Sequence, residues 1–153
     1  MANEAYRAVF LRVHPTGKMV LSLTTEADGS EAQYAGIVAQ ELGVPPLDVK
    51  VVPADTDRFG VGHGFNTSPS AGTAAAVGAA AGKIRDKAQL LAGAALETEP
   101  NALSWHEGAW KGAGNGEGAN EMTIADLALY AHGTGALPAG VEGGLDAQAV
   151  YRD

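Results

Sequence analysis

Hydrophobic positions near the start of the chain fall into two short β-type runs, residues 8–13 and 18–23. The segment between them, His14–Gly17, places a proline and a glycine at turn positions. Short apolar runs joined by a turn of this composition are typical of paired antiparallel strands. The pattern therefore predicts a β-hairpin.

The hydrophobic period then changes to that of a helix. In residues 32–42 the apolar side chains recur three and four positions apart, and Gly43 stands where a left-handed residue closes a helix. The prolines at 45 and 46 prevent the helix from continuing. Because residues 49–53 are again strand-like, we expect a strand–helix–strand unit after the hairpin.

The longest regular element is a helix that the pattern predicts over residues 70–96, after a glycine-containing loop at 54–69. The first half of this helix is almost entirely alanine and glycine, whereas the second half has larger apolar residues at helical spacing and several charges. Because side chains this small allow close approach, the helix must lie tightly against a neighbour at its start. A sheet, another chain or a ligand would each fit.

Beyond Pro100 the pattern predicts a small hairpin within 102–110 and a short helix over 124–132 with Thr123 as its N-cap. The last segment, 145–153, alternates apolar and polar residues, and we expect it to run extended into a partner. Together these elements predict an α+β fold in a single domain, residues 1–153. In this fold a hairpin and a strand–helix–strand sheet pack against the long helix, with a small C-terminal hairpin and a short helix.

Charge and composition exclude several classes of protein. Eighteen acidic against ten basic residues give a net charge of −8, which opposes binding to nucleic acid or to anionic membrane surfaces. The chain has no cysteine, so it has no disulfides and no thiolate ligands for zinc or iron–sulfur clusters. There is no run long enough to span a membrane and no signal-peptide core. We therefore expect a cytoplasmic protein with neither a nucleic-acid nor a membrane partner.

The strongest candidate site is the polar segment 66–73, which leads directly into the small-residue helix. A helix N-terminus has unpaired backbone N–H groups and a partial positive charge, and the hydroxyls of Ser68, Ser70 and Thr73 add donors. These features favour an anionic group. A serine that simply caps the helix is the alternative.

The turn at 24–31 is a second, weaker candidate. It contains a glycine turn, but its three carboxylates favour the ordinary capping of a helix over the binding of an anion. Elsewhere the four histidines have no metal-ligand spacing, and no nucleophile elbow is present. The sequence therefore predicts no catalytic residue and no metal ligand.

In their order and spacing, these segments resemble the molybdenum-binding large subunit of the xanthine dehydrogenase/aldehyde oxidase family. The most specific segment, Asn66–Thr73, is similar to a family Asn-Thr-Ser-Pro-Thr-Ala segment that precedes an alanine-rich helix. Thr24–Gly29 stands where the family has a Gly-Gln-Gly turn, and Val51–Asp57 where it has a strand followed by Asp-Thr. The resemblance covers nearly the whole chain but only a small part of the longer family subunit.

The resemblance implies a subunit of a molybdopterin-dependent oxidoreductase that is not active alone. The cofactor, with or without an attached nucleotide, would be shared with a larger molybdenum-binding subunit that supplies the catalytic glutamate. Iron–sulfur clusters and FAD would lie on further partner chains. The residues that the resemblance implies to line the cofactor are Ala27, Asp28, Gly29, Ser68, Ser70, Ala71, Gly72 and Thr73.

One departure from the family keeps other functions open. Asp28 corresponds to the family's glutamine and Ala27 to its first glycine, and a carboxylate accepts hydrogen bonds but repels an anionic cofactor. A structural or assembly subunit without cofactor contact is therefore one alternative. A subunit of a related complex with hydratase-type chemistry is another, and an unrelated monomeric binder of a small anion is a third.

Overall fold

The structure is a computed structural model that describes residues 6–23, 29–53, 71–106, 108–112, 121–133, 137–138 and 140–152. Short 3-10 turns lie at Pro46–Asp48 and Pro100–Ala102. Within the described ranges, no helix has both the length and the hydrophobicity needed to cross a bilayer. The strands and helices are, in chain order, β1 (Tyr6–Val13), β2 (Met19–Leu23), α1 (Glu31–Leu42), β3 (Val49–Val52), α2 (Ala71–Ala95), β4 (Ser104–His106), β5 (Ala109–Lys111), β6 (Glu121–Thr123), α3 (Ile124–His132) and β7 (Asp146–Arg152).

The main sheet has the strand order β3-β2-β1-β7. β1 and β2 form the predicted antiparallel hairpin, with Leu11 opposite Leu21. β2 and β3 are parallel and are connected through α1, as the strand–helix–strand pattern predicts. Gly43 ends α1 in the left-handed conformation, at φ 69°, and its N–H donates to the Ala39 carbonyl. The predicted α+β fold is confirmed.

The expectation that the C-terminal segment runs into a partner is wrong. β7 instead pairs antiparallel with β1 of the same chain, from Tyr6 opposite Arg152 to Arg12 opposite Asp146. β2 occupies one edge of β1, so the other edge presents unpaired N–H and C=O groups, and β7 satisfies them within the chain. An alternating pattern predicts a strand but not the strand that it pairs with.

One face of the main sheet carries the core. Alternate residues of β1 and β2 point into it, and α1 and α2 cover them. α2 packs against β1, β7 and α1, and the side chains of Ala76, Val77 and Ala80 in its small-residue half are fully buried, so the domain itself supplies a neighbour for this half. The fully buried residues of this face and of α2 include Val9, Leu11, Val13, Leu21, Ala76, Val77, Ala80 and Ile84.

The two long helices run in the same direction. Ile37 of α1 lies beside Gly78 of α2, where an added Cβ would be 3.9 Å from the Ile37 Cγ2 atom. Further along both helices, Glu41 Oε1 of α1 is 3.5 Å from Arg85 Nη1 of α2. α1 starts after the end of β2 and runs back to the start of β3, so its N-terminus lies at the edge where the parallel strands β2 and β3 end. Because α2 runs in the same direction as α1, its N-terminus lies at that edge as well.

A second sheet, β4-β5-β6, lies beside the C-terminal half of this helix pair. The predicted hairpin forms its first two strands, and β6 was not predicted. Trp110 of β5 is fully buried and meets Trp105 edge to face, with ring centroids 6.2 Å apart. Thr123 caps α3 as expected, and Asp126 completes a reciprocal capping box with it.

Gly108 joins the second sheet to the end of α1. Its φ is +83°, and an added Cβ would lie 2.6 Å from the Gly43 carbonyl oxygen. We expect Gly108→Ala to lower the free energy of unfolding by about 2 to 4 kcal/mol. An alanine is strained in the left-handed conformation, and its Cβ would also collide with the Gly43 carbonyl oxygen. Urea unfolding followed by circular dichroism measures this loss.

Gly140→Ala is the matched control. Gly140 also has a left-handed φ, +81°, but no atom lies within 4 Å of an added Cβ. Its substitution should therefore cost only about 1 kcal/mol, the conformational part alone. Equal losses for the two variants would contradict the close approach at Gly108.

Candidate functional site

The two helices that follow the predicted cofactor segments begin at one edge of the main sheet. This site edge is the edge where β2 ends at Leu23 and β3 ends at Val52. α1 begins there after the first candidate turn, and α2 begins there after the second candidate segment. Two helix starts that are far apart in the sequence therefore lie at the same edge, because α1 and α2 are parallel.

The structure describes only part of the predicted site. Gly29, the backbone at 71 and 72, and Thr73 fall within the described ranges. Four predicted contact residues lie outside these ranges: Ala27, Asp28, Ser68 and Ser70. The whole glycine-containing loop at 54–69 lies outside them as well. The geometry of the site edge therefore rests on Gly29 and on the first turn of α2.

Thr73 is the distinctive residue of that turn. Its side chain is fully buried, with 0% exposure, and its Oγ1 atom has no hydrogen-bond partner. A buried hydroxyl without a partner costs about 1 to 3 kcal/mol relative to one that is satisfied. A buried hydroxyl without a partner among the described residues is an exception that calls for an explanation, and an acceptor from outside this domain would supply one.

Helix geometry adds donors beside this hydroxyl. The N–H groups in the first turn of an α-helix have no partner within the helix, and the helix dipole places a partial positive charge there. With Thr73 in that turn of α2, the site edge offers donors to a phosphate or another electron-rich group.

Gly29 leaves space on the opposite side of the site edge. Its φ of +84° favours glycine, and an added Cβ would meet no atom of the described residues within 4 Å. Among the described residues, no side chain therefore fills the space beside this backbone position.

The described residues contain no group of three histidine, aspartate or glutamate side chains able to hold a metal ion. In the part of the chain that is described, the site edge can bind and orient an acceptor group, but it shows no nucleophile–base pair.

Two further buried donors in the described part of the chain lack partners, and no pattern in the sequence marks them as unpartnered. They are the indole N–H groups of Trp105 and Trp110. Both belong to the second sheet, where the Arg85 guanidinium lies 3.8 Å from the Trp105 ring centroid. Arg85 is in the later part of α2, away from the site edge, so the indoles are not part of this site.

Comparison with known proteins identifies the family. The family model described as molybdopterin cofactor-binding domain matches residues 1–153. The chain belongs to this family. This chain is 36% identical over 146 residues to the carbon monoxide dehydrogenase large chain of Hydrogenophaga pseudoflava. The matched region covers 92% of this chain and 17% of that relative.

A second relative is subunit gamma of the 6-hydroxypseudooxynicotine dehydrogenase complex of Paenarthrobacter nicotinovorans. It is 33% identical over 126 residues, which cover 80% of this chain and 15% of the relative. The structure also superposes on reconstituted CO dehydrogenase from Oligotropha carboxidovorans with a TM-score of 0.79, at 27% identity. That match covers 97% of this chain and 18% of the other chain.

These comparisons confirm the resemblance to the molybdenum-binding large subunit of the xanthine dehydrogenase/aldehyde oxidase family. The chain spans less than one fifth of the length of the relatives that it matches. The residues at the site edge fit a molybdopterin, because its phosphate and pterin oxygens are acceptors and Thr73 is a buried donor without one. The eight predicted contact residues remain a prediction.

The buried hydroxyl predicts an unusual stability effect. Thr73→Val keeps the shape of the side chain but removes the unpartnered hydroxyl, so in the cofactor-free protein it should raise the free energy of unfolding by about 1 kcal/mol. Thr98→Val is the matched control, since the Thr98 hydroxyl donates to the Leu96 carbonyl at 3.0 Å. That variant should lose about 1 kcal/mol. Urea unfolding measures both, and a loss at Thr73 would show that its hydroxyl has a partner.

Proposed function

We propose that this domain forms one wall of a molybdopterin site in a multi-subunit oxidoreductase. The observation that carries the proposal is the buried, unpartnered hydroxyl of Thr73 at the start of α2. The convergence of Gly29 and the first turn of α2 on one edge supports it, because these are the described members of the two segments that the family resemblance assigns to the cofactor. The family match supports the identity of the ligand.

Each residue has a role in binding in this proposal. Thr73 Oγ1 donates to an acceptor on the cofactor, and the backbone N–H groups at 71–73 attract its negative charge. Ser68 and Ser70 add hydroxyl donors ahead of the helix, and the Ala27–Gly29 turn approaches from the side of α1. When bound, the cofactor supplies the oxidation–reduction chemistry. The domain orients it and excludes water from one side.

The rest of the site lies outside these 153 residues. The matched region is only 17% of the carbon monoxide dehydrogenase large chain, so most of what encloses a cofactor in such a protein has no counterpart here. We infer that a larger molybdenum-binding polypeptide completes the site and supplies the catalytic glutamate, and that iron–sulfur and flavin subunits carry the electrons away. Without these partners, the domain would not catalyse a reaction. The names of the relatives include two different substrates, so they leave the substrate of this protein unassigned.

The hydroxyl of Thr73 provides the direct test. A hydrogen bond to a charged acceptor contributes about 1.5 to 3 kcal/mol, so Thr73→Val should weaken cofactor binding by about tenfold or more. The measurement is molybdenum by mass spectrometry and pterin by fluorescence, in the complex purified from its native host. Molybdenum and pterin should fall together.

Two variants control for packing. Thr73→Ser keeps the hydroxyl and should retain more cofactor than Thr73→Val, although it removes a buried methyl group. Thr98→Val alters a half-buried threonine in the turn after α2 and should leave the cofactor content unchanged. Normal molybdenum and pterin in Thr73→Val would instead favour the structural or assembly role.

The presence of Asp28 favours the structural or assembly role, since a carboxylate repels an anionic cofactor. If the turn contacts the cofactor, Asp28→Gln removes that repulsion and adds amide donors, so cofactor retention during dialysis should increase. Asp28→Asn separates the loss of charge from the longer reach of glutamine. Unchanged retention in both variants would mean that this turn does not contact the cofactor.

A further inference from the structure

The second sheet contains two donors that the proposed function does not use. The indole N–H groups of Trp105 and Trp110 are buried and have no hydrogen-bond partner among the described residues. The Trp110 side chain is fully buried. An indole N–H can only donate, and a buried one usually has an acceptor, because its removal from water is otherwise uncompensated.

Met122 is the cross-strand neighbour of Trp110. The register of β5 and β6 places these two residues directly opposite each other, with Trp105 opposite Trp110 on the far side. Directly opposite residues of antiparallel strands have their side chains on one face of the sheet, with Cβ atoms about 4.5 to 5.5 Å apart. The long, flexible Met122 side chain is therefore within reach of the Trp110 indole.

The Met122 sulfur combines access with the wrong chemistry for its neighbour. Its side chain is half-buried and belongs to β6, a strand at the edge of the second sheet, so a small oxidant can approach it. A thioether is only a weak acceptor, which leaves the indole N–H unsatisfied. Oxidation of the sulfur to a sulfoxide would place a polar oxygen beside this donor.

We propose that Met122 is a site of reversible oxidation whose sulfoxide accepts a hydrogen bond from the Trp110 indole N–H. Hydrogen peroxide transfers one oxygen atom to Sδ of Met122. The S=O bond forms as the O–O bond breaks, the sulfur loses two electrons, and the peroxide is reduced to water. Methionine sulfoxide reductases reverse the reaction. The inference is independent of the proposed function, because the second sheet lies away from the site edge.

Met19 is the contrasting methionine. It is 1% exposed within the apolar core of the main sheet, opposite Val13. The unpartnered donors of the described residues lie in α2 and in the second sheet, and none belongs to a strand beside Met19. A sulfoxide at Met19 would therefore be buried without a donor and would disrupt the core, whereas the sulfoxide at Met122 has a donor in place.

The indole proton of Trp110 reports the new hydrogen bond directly. The chain has two tryptophans, so Trp105→Phe leaves a single indole resonance and keeps an aromatic ring beside Arg85. The 15N-labelled chain is treated with dilute hydrogen peroxide, and peptide mass spectrometry measures oxidation of Met122. The Trp110 indole proton should move downfield and exchange more slowly with deuterium. In the unsubstituted chain, at least one of the two indole resonances should respond in the same way.

Two results of this experiment would overturn the inference. One is a Met122 side chain that stays reduced under conditions that oxidise free methionine. The other is an unchanged indole resonance in protein that is oxidised at Met122. Met122→Leu has a similar volume and no sulfur, so its indole resonances should not respond to peroxide.

Urea unfolding provides a second readout. Protein oxidised at Met122 should unfold at a urea midpoint no lower than that of the reduced protein, because the sulfoxide oxygen is satisfied. Peroxide-treated Met122→Leu corrects for oxidation elsewhere in the chain. A larger fall in the wild-type midpoint than in that of Met122→Leu would mean that the sulfoxide lacks a donor. Treatment with methionine sulfoxide reductases should restore the original indole resonance.

A pair of tryptophan variants identifies the donor. Trp110→Phe keeps a ring but removes the N–H, so oxidation of Met122 should now lower the urea midpoint. Trp105→Phe removes the more distant N–H and should respond to oxidation as the wild type does. The same response in both variants would show that Trp110 is not the donor.

Discussion

The close approach of the alanine-rich half of α2 to the sheet and to α1 is the constraint on which the rest of the arrangement depends. Small side chains allow α2 to lie flat against β1 and β7 while running parallel to α1, with Gly78 beside Ile37. A residue much larger than alanine at the fully buried positions Ala76 and Ala80 would push α2 away from its neighbours. The parallel direction then brings both helix N-termini to one edge of the sheet. The position of the candidate site is thus a consequence of packing rather than of local sequence.

A buried polar group stands at the start of this helix. Thr73 lies in the first turn of α2, its side chain is fully buried, and its hydroxyl has no hydrogen-bond partner among the described residues. Proteins rarely keep such a group unless it serves a function or is satisfied by a molecule outside the domain. The family match is the reason that the proposed function makes the cofactor the acceptor for this hydroxyl.

The two faces of the main sheet have different surroundings. The inner face contains the core against which the helices pack, and the outer face carries alternate residues that no described helix covers. The edge at which β2 and β3 end is where both helices begin, and the proposed function places the cofactor there.

The sequence by itself determined the local elements. The hairpin, the strand–helix–strand unit, the long helix, the left-handed stop at Gly43 and the Thr123 cap all depend on neighbours within a few positions, and each is present. The family was also recognisable, because the order of short segments such as Asn66–Thr73 is a property of the sequence.

Only the tertiary structure decided which distant groups meet. The pairing of β7 with β1, the third strand of the second sheet, the parallel helices and the burial of Thr73 depend on contacts between residues far apart in the chain. A hydroxyl in a sequence looks the same whether it caps a helix, bonds to a carbonyl or lacks a partner. Packing distinguishes these cases, because it removes water from some groups and not from others.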